Sequence, residues 1–123
     1  MGYHVVDADD LDPTPDRPSE TYDVGEAVGT NALGVRLYRV APGEEIPRSG
    51  LHYHERQEEA FYVVAGRLRV ETPEREYAVE RGQFFVADPG SAHRAFNPRS
   101  NGDTAVVIGM GAPVDDAVYE YDR

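Results

Sequence analysis

The sequence predicts an all-β protein, built as an antiparallel sandwich or barrel of about eight to ten short strands. Short stretches rich in Val, Leu, Tyr and Phe alternate with turn residues about every 8–12 positions. No stretch repeats its apolar residues with the period of a helix. The 123 residues include 12 glycines and 9 prolines. That share exceeds the roughly 12% of average usage and indicates many turns.

The predicted strands follow one another with little chain between them. They cover residues 33–41, 44–53, 59–65, 67–71, 77–79, 83–87, 93–97 and 104–109. The first ends at the turn signal Pro42-Gly43. Pro47 and Gly50 interrupt the second, which predicts a bulge or an edge position there. The last reads TAVVIG, an unbroken apolar run that predicts a buried strand.

The two ends of the chain are acidic and weakly patterned. Residues 1–31 are expected to form an arm and a first edge strand, because three prolines oppose a helix in the arm. Within the arm, residues 3–6 are compatible with a short strand. The barrel is expected over residues 32–112, and an acidic tail over 113–123 whose structure the pattern does not predict.

Composition excludes several classes of protein. There is no cysteine, which excludes a disulfide framework, a thiolate zinc site and a cysteine nucleophile. The first residues lack the basic and apolar regions of a secretory signal. No apolar run approaches the length of a membrane span. We therefore expect one soluble, cytoplasmic domain with one core.

The charge balance is strongly acidic. The 12 basic residues are all arginines, and 23 acidic residues bring the net charge to −11. Such a surface repels phosphate backbones and anionic lipids, so neither nucleic acid nor a membrane is expected as a partner. An acidic surface without lysine also resembles proteins of halophiles. An ordinary acidic protein from an arginine-rich genome is the alternative.

Side chains able to bind a metal are concentrated in residues 51–66, LHYHERQEEAFYVVAG. His52 and His54 are two positions apart, and such side chains point to the same face of a strand. Carboxylates follow at Glu58 and Glu59, and His93 lies further on beside a turn. Imidazoles with a carboxylate suit a divalent transition metal. For the histidine pair alone, the alternative is a chance match on a solvated strand.

Two longer patterns resemble the signature motifs of the cupin superfamily, which are small jelly-roll β-barrels. The first motif is His-x-His, three or four residues, Glu, six residues and Gly, and it maps onto His52, His54, Glu59 and Gly66. The second lies in GQFFVADPGSAHRAFN and maps onto Gly82, Gly90, His93 and Asn97. The resemblance covers residues 42–97. Asp88 replaces the usual proline of the second motif, and the glycine that usually opens the first is displaced.

The resemblance implies a small single-domain cupin, an antiparallel jelly-roll barrel. It also implies one divalent metal per chain (Fe, Mn, Ni, Cu, Co or Zn), held by His52, His54, Glu59 and His93. Strict alternation from His54 favours Glu58 as the carboxylate, whereas the spacing to Gly66 favours Glu59. We expect Glu59 to be the ligand. Glu58 is expected to be solvated or hydrogen-bonded to a ligand histidine.

The function expected from this resemblance is that of a small metalloenzyme. It would oxygenate or isomerise a small organic molecule that coordinates the metal. The alternative is a non-catalytic module that binds a small ligand or a metal, because function does not follow from the fold. Small cupins commonly pair, and exposed strands need covered edges, so a homodimer is expected.

The walls of the substrate cavity are expected to be aromatic and apolar. The candidates are Phe61, Val63, Phe84, Val86 and Phe96. Arg36 and Arg39 lie on opposite parities of one predicted strand, so the pattern does not tell which of them faces inward. A solvated edge position is favoured for both, with a cavity-facing position for one of them as the alternative.

Overall fold

The antiparallel strands expected from the turn spacing are present in a computed structural model, which describes residues 2–122. The strands are β1 (Glu20–Asp23), β2 (Gly34–Val40), β3 (Glu45–Ile46), β4 (His52–Tyr53), β5 (Glu58–Ala65), β6 (Arg67–Glu71), β7 (Glu76–Glu80), β8 (Phe84–Ala87), β9 (Arg94–Phe96), β10 (Ala105–Ala112) and β11 (Tyr119–Glu120). One α-helix, α1 (Val24–Val28), and two 3-10 turns, Ala8–Asp10 and Arg99–Asn101, complete the described elements.

Two antiparallel sheets enclose the core. The larger has the order β1-β2-β10-β5-β8, and the smaller has the order β3-β9-β6-β7. A separate two-stranded ribbon joins β11 to β4. All of these pairings are antiparallel. The predicted all-β class with a jelly-roll barrel is therefore confirmed.

The core follows from the alternation of side chains along the strands. Val40, Val63 and Val107 come from the larger sheet, Leu68 and Val70 come from the smaller one, and each is at most 1% exposed. Because alternate residues of a strand point to opposite faces, each strand places one apolar row between the sheets. Full burial of one such side chain contributes about 1.5–3 kcal/mol. Together these buried apolar rows hold the two sheets against each other.

The chain outside the barrel differs from the prediction in two places. Residues 3–6 form no strand. Residues 21–32, expected to be irregular or edge strand, contain most of β1 and then α1. In α1 the Asp23 side chain accepts a hydrogen bond from Glu26 N at 2.9 Å, and Gly29 ends the helix with a φ of 73°. Five residues are too few to show a helical period, so the caps were its only signal. No helix among residues 2–122 is long and apolar enough to cross a membrane.

The predicted strand 44–53 is divided, as its proline and glycine suggested. β3 pairs with β9, whereas β4 pairs with β11 of the tail. Between them, the chain from Pro47 to Leu51 forms a rim loop with Gly50 at a φ of 84°. The tail whose structure was not predicted thus supplies a strand, and it returns the chain to the rim of the barrel beside the histidines.

Candidate metal centre

A backbone bridge joins the two predicted motifs at His52 and His93. The His52 N–H donates to the His93 carbonyl at 3.2 Å, and the His93 N–H donates to the His52 carbonyl at 3.0 Å. Residues directly opposite each other in an antiparallel pair place their side chains on the same face. The two imidazole centroids are accordingly 5.1 Å apart.

The structure places Glu59, and not Glu58, inside the barrel. β5 alternates between exposed Glu58 and buried Glu59, and Glu59 shares its face with the core residues Phe61 and Val63. Its Oε1 lies 2.5 Å from Nε2 of His93. The loop before β5 shifts the alternation by one residue relative to His54, which is why parity alone favoured the wrong carboxylate for the interior.

His54 lies beside the other three expected ligands without joining their closest cluster. The candidate ligand atoms of His52, Glu59 and His93 lie within 4.8 Å of one another. The rings of His52 and His54 have centroids 6.2 Å apart. The carbonyl of His54 accepts a hydrogen bond from Gly90 N at 2.6 Å, which ties the first motif to the turn of the second.

The three histidines predicted to bind the metal are oriented by the same kind of hydrogen bond. Nδ1 faces the Gly50 carbonyl at 3.1 Å in His52, the Ala117 carbonyl at 3.0 Å in His54, and the Ser91 carbonyl at 2.9 Å in His93. A carbonyl only accepts, so each Nδ1 carries the proton and donates it. In a neutral ring the lone pair is then on Nε2, which is the arrangement that orients metal-binding histidines.

One of these Nε2 atoms is buried without a partner. Nε2 of His52 accepts no hydrogen bond from any described residue. Burial lowers the pKa of His52, and the nearby His93 lowers it further, so the ring is held neutral. An unsatisfied buried acceptor costs roughly 1–3 kcal/mol. A cation bound to this lone pair would remove that cost.

Glu59 and His93 form an ion pair at the centre of the cluster. Burial is the largest single influence and would raise the pKa of Glu59 and lower that of His93, but their mutual hydrogen bond and the charge interactions around them together outweigh it, so the pKa of Glu59 is lowered and that of His93 is raised. Nε2 of His93 therefore donates its proton to the carboxylate. A metal would replace that proton and take both atoms as ligands. Imidazole nitrogens with one carboxylate oxygen fit a divalent transition metal.

A cavity of about 100 Å³ opens beside His54 and Glu59. Two glycines on the inner face of β10 make room for its polar wall. A Cβ atom at Gly109 would lie 2.6 Å from Cε2 of Tyr38, and one at Gly111 would lie 2.9 Å from Cδ of Gln57. Tyr38 and Gln57 were not predicted from the sequence, because their place in the cavity wall depends on the small residues opposite them.

Arg36 and Tyr38 form the far side of this cavity. Of the two arginines left open by the sequence, Arg36 lines the cavity and Arg39 is exposed. Burial raises the pKa of Tyr38 to about 12, although the guanidinium of Arg36 acts in the opposite direction. The Tyr38 hydroxyl therefore stays protonated at neutral pH and can donate a hydrogen bond.

The expected apolar wall is only partly correct. Phe61 faces inward and lines the cavity, and Val63 faces inward but lies in the core away from it; Phe84 and Val86 face outward and are each 61% exposed. Phe85 faces inward instead, with its ring centroid 6.0 Å from that of His93. Two adjacent phenylalanines in one short strand leave the inward parity undecided in the sequence. Phe96 is half-buried beneath the guanidinium of Arg94.

Comparison with known sequences identifies the fold family. The Cupin domain profile matches residues 36–108, which is more than half of the chain. This chain belongs to the cupin family. No curated protein sequence matches this cupin.

Three solved structures illustrate what this cupin is similar to. A protein from Acidithiobacillus ferrooxidans, provisionally described as a sugar phosphate isomerase, is 29% identical with a TM-score of 0.68; the match covers 82% of this chain and 64% of that one. A cupin sugar phosphate isomerase from Silicibacter pomeroyi is 22% identical with a TM-score of 0.79, covering 98% and 83%. The polyketide cyclase RemF from Streptomyces resistomycificus is 17% identical with a TM-score of 0.78, covering 99% and 87%. The last two show the shared fold alone.

Proposed function

We propose that this cupin is a metal-dependent enzyme that acts on a small organic molecule able to coordinate the metal. The proposed ligands are His52, His54, Glu59 and His93. The observation that carries the proposal is the buried Nε2 of His52, which has no hydrogen-bond partner among residues 2–122 and lies beside the Glu59–His93 pair. A lone pair held out of water next to a carboxylate and a second imidazole has the chemistry of a metal site.

The side chains around the cluster suit the transformation of a small polar molecule. A bound divalent metal would supply Lewis-acid polarisation of a coordinated oxygen or, if redox-active, oxidation chemistry. The protonated Tyr38 hydroxyl and the Arg36 guanidinium line the same cavity and offer hydrogen-bond donors to a substrate oxygen. The rings of Phe61 and Phe85 lie about 6 Å from the imidazole of His93 and restrict access of water from the core side.

Isomerisation is the reaction class that we place first. The donors in the cavity can stabilise negative charge that develops on a substrate oxygen, as proton-transfer isomerisations require. The neighbour at 29% identity, provisionally described as a sugar phosphate isomerase, supports the same class. Oxygenation is the second class, and consumption of dioxygen by the metal-loaded protein separates the two.

Metal content tests the proposal directly. Tag-free protein from cells grown without added metal is analysed by mass spectrometry, and about one transition metal per chain is expected, with a rise in melting temperature over the metal-free protein. His52→Ala and His93→Ala are expected to lose the metal. His4→Ala, which changes an exposed histidine outside the site, serves as the matched control.

Two results would count against the proposal. Metal below about a tenth of an equivalent, with no melting shift on adding metals, would remove the metal site. Full metal content without turnover of chelating hydroxy acids or sugar phosphates, and without consumption of dioxygen, would instead make this cupin a ligand-binding module.

The homodimer remains a proposal. It is supported by the outer face of β5 and β8, where Val64, Phe84 and Val86 are 42%, 61% and 61% exposed. Exposed apolar side chains that cluster on a sheet face often mark an interface. Because β8 is an edge strand, a two-fold axis beside it would bring the same residues of two copies together.

A further inference from the structure

We infer that the substrate of this cupin is an anion whose carboxylate or phosphate group is bound by Arg36 and Arg48 beside the metal centre. The inference rests on the proposed function, because it assigns the part of the substrate that does not coordinate the metal. Two observations support it. Both arginines line the same cavity of this strongly acidic chain, and the carboxylates that line that cavity already accept other hydrogen bonds.

Arg36 presents a partly used guanidinium to the inner cavity. Its side chain is 29% exposed and lines the same cavity as His54 and Glu59. Nε donates to the Asp23 carboxylate at 3.1 Å. A guanidinium has five N–H donors in a fixed plane. Asp23 and the Tyr38 hydroxyl oxygen engage part of this set, so donors remain for an oxygen of a ligand beside Tyr38.

Arg48 stands at the mouth of that cavity without a carboxylate of its own. It lies in the rim loop and lines both the inner cavity and an outer groove of about 720 Å³ that reaches His52. No carboxylate oxygen of residues 2–122 lies within 4.0 Å of its guanidinium. Arg17, Arg75, Arg81 and Arg99 also have no carboxylate within that distance among the described residues, but none of these four lines the inner cavity, whereas Arg48 does.

The carboxylates of the inner cavity are already engaged. Glu59 accepts the proton of His93. Asp116 accepts hydrogen bonds from the backbone N–H groups of Arg56 and Gln57 at 2.7 and 3.0 Å. Neither carboxylate therefore neutralises Arg48. A bound divalent cation would add further positive charge to this wall.

The anion is placed at the inner cavity rather than at the outer groove. The outer groove also has two arginines, Arg17 and Arg48, but three carboxylates line it, those of Asp16, Asp116 and Glu120, against two at the inner cavity. At the inner end, two guanidinium groups face the same space. Their planar N–H pairs match the oxygens of a carboxylate or a phosphate, which an ammonium group would not do.

Pairs of ligands that share one end and differ at the other test this inference. Glycerate and 3-phosphoglycerate share a chelating hydroxy acid, and the second adds a phosphate; lactate and malate differ by a carboxylate. Dissociation constants are measured by calorimetry at fixed low ionic strength on protein whose metal content has been verified. In the wild type, the ligand with the added anionic group is expected to bind about tenfold or more tightly than its partner in at least one pair. The pair with the larger gain in affinity shows whether the site prefers a phosphate or a carboxylate.

Substitution of the arginines should remove that gain. Arg36→Gln and Arg48→Gln are expected to bring the two members of the pair close to equal affinity, with metal content unchanged, and Arg48→Lys should recover only part of the gain. Arg39→Gln is the matched control, because Arg39 lies on the same strand with its side chain exposed and paired with Asp9. Arg48 is exposed in a loop, so its variant is expected to fold even if Arg36→Gln is destabilised.

Two results would overturn the inference: equal affinity within both pairs for the metal-loaded wild type, or a gain that both glutamine variants retain. If the protein binds no metal, the proposed function fails separately, and inorganic phosphate is then titrated into the metal-free protein. A melting-temperature rise that is lost in Arg36→Gln and Arg48→Gln supports the anion site. A rise that is absent, or that persists in both variants, rejects it.

Discussion

The two ends of this barrel are built on the same three strands and differ in what those strands place inside. At one end, β2 and β5 bury Val40 and Val63. At the other end, the same strands present Arg36 and Glu59 to the cavity. β10 lies between them and changes from buried valine to glycine along its length. We call these the closed end and the open end.

The difference separates stability from chemistry within one sheet. At the closed end, side chains such as Val40 and Val63 are fully buried and have no polar atom to satisfy. At the open end, a buried imidazole nitrogen has no hydrogen-bond partner in the part of the chain that the structure describes, and the Glu59 carboxylate is held out of water. Departures from the usual rules of packing are expected at functional sites, where another part of the fold compensates for them. The closed end provides that compensation.

The largest effect is expected from breaking the closed end. Leu68→Ala removes a side chain that is 1% exposed and lies at the start of β6, directly after the closed end of β5. We expect the free energy of unfolding, measured with urea, to fall by about 2–5 kcal/mol. Metal content should be unchanged under conditions where the variant is folded. A folded Leu68→Ala protein that has lost its metal would show that the two ends are not separable.

A smaller loss is expected from closing the open end. Gly109→Ala adds a methyl group 2.6 Å from the Tyr38 ring, and we expect a cost of about 1–3 kcal/mol from overpacking. Chelating ligands should also bind more weakly, because Tyr38 must move into the cavity or away from it. In a Tyr38→Ala background the added methyl should cost little, as a double-mutant cycle would show. An equal cost in both backgrounds would mean that the glycine is needed for another reason.

The sequence predicted the strands better than it predicted which side chains line the cavity at the open end. The period-two alternation predicted most strands, and the motif spacing brought His52, Glu59 and His93 to one place. Parity did not distinguish Phe84 from Phe85, because both are apolar and only the pairing of β8 with β5 decides which faces inward. Tyr38 and Arg36 could not be assigned to the cavity, because a strand pattern does not show that glycines lie across from them in the sheet.

The open end should show a pH dependence that the closed end lacks. The pKa of Glu59 lies below its ordinary 4.5, so its contribution is present above that pH and is lost as the pH falls through the folded value. The pKa of His93 lies above its ordinary 6.5, so its contribution is present below pH 6.5 and is lost as the pH rises through the folded value. In metal-free protein the pair is therefore most stabilising between about pH 4.5 and 6.5.

Urea unfolding against pH tests this window, with Glu59→Gln as the comparison. Below pH 6.5, His52 contributes in the opposite direction to the pair. Its pKa is lower in the folded protein than in the unfolded chain, so protonation of its ring favours unfolding. The difference between wild type and Glu59→Gln reports the interactions of this carboxylate, of which those with His93 are larger than the charge interaction with His52. That difference should be largest inside the window and should shrink as the pH rises above it. A difference that does not vary from pH 5 to 8 would contradict an imidazolium–carboxylate pair.

The smallest effect on the stability of a single chain is expected on the outer face. Phe84 is 61% exposed and contacts Tyr62, with ring centroids 4.5 Å apart, whereas Phe85 packs against the core. In a monomer, Phe84→Ala should cost less than about 1 kcal/mol and Phe85→Ala clearly more. In a homodimer that uses this face, Phe84→Ala should lower the mass measured by light scattering, and the wild-type midpoint of unfolding should rise with protein concentration. A large cost of Phe84→Ala without any dependence on concentration would mean that this chain itself covers the outer face.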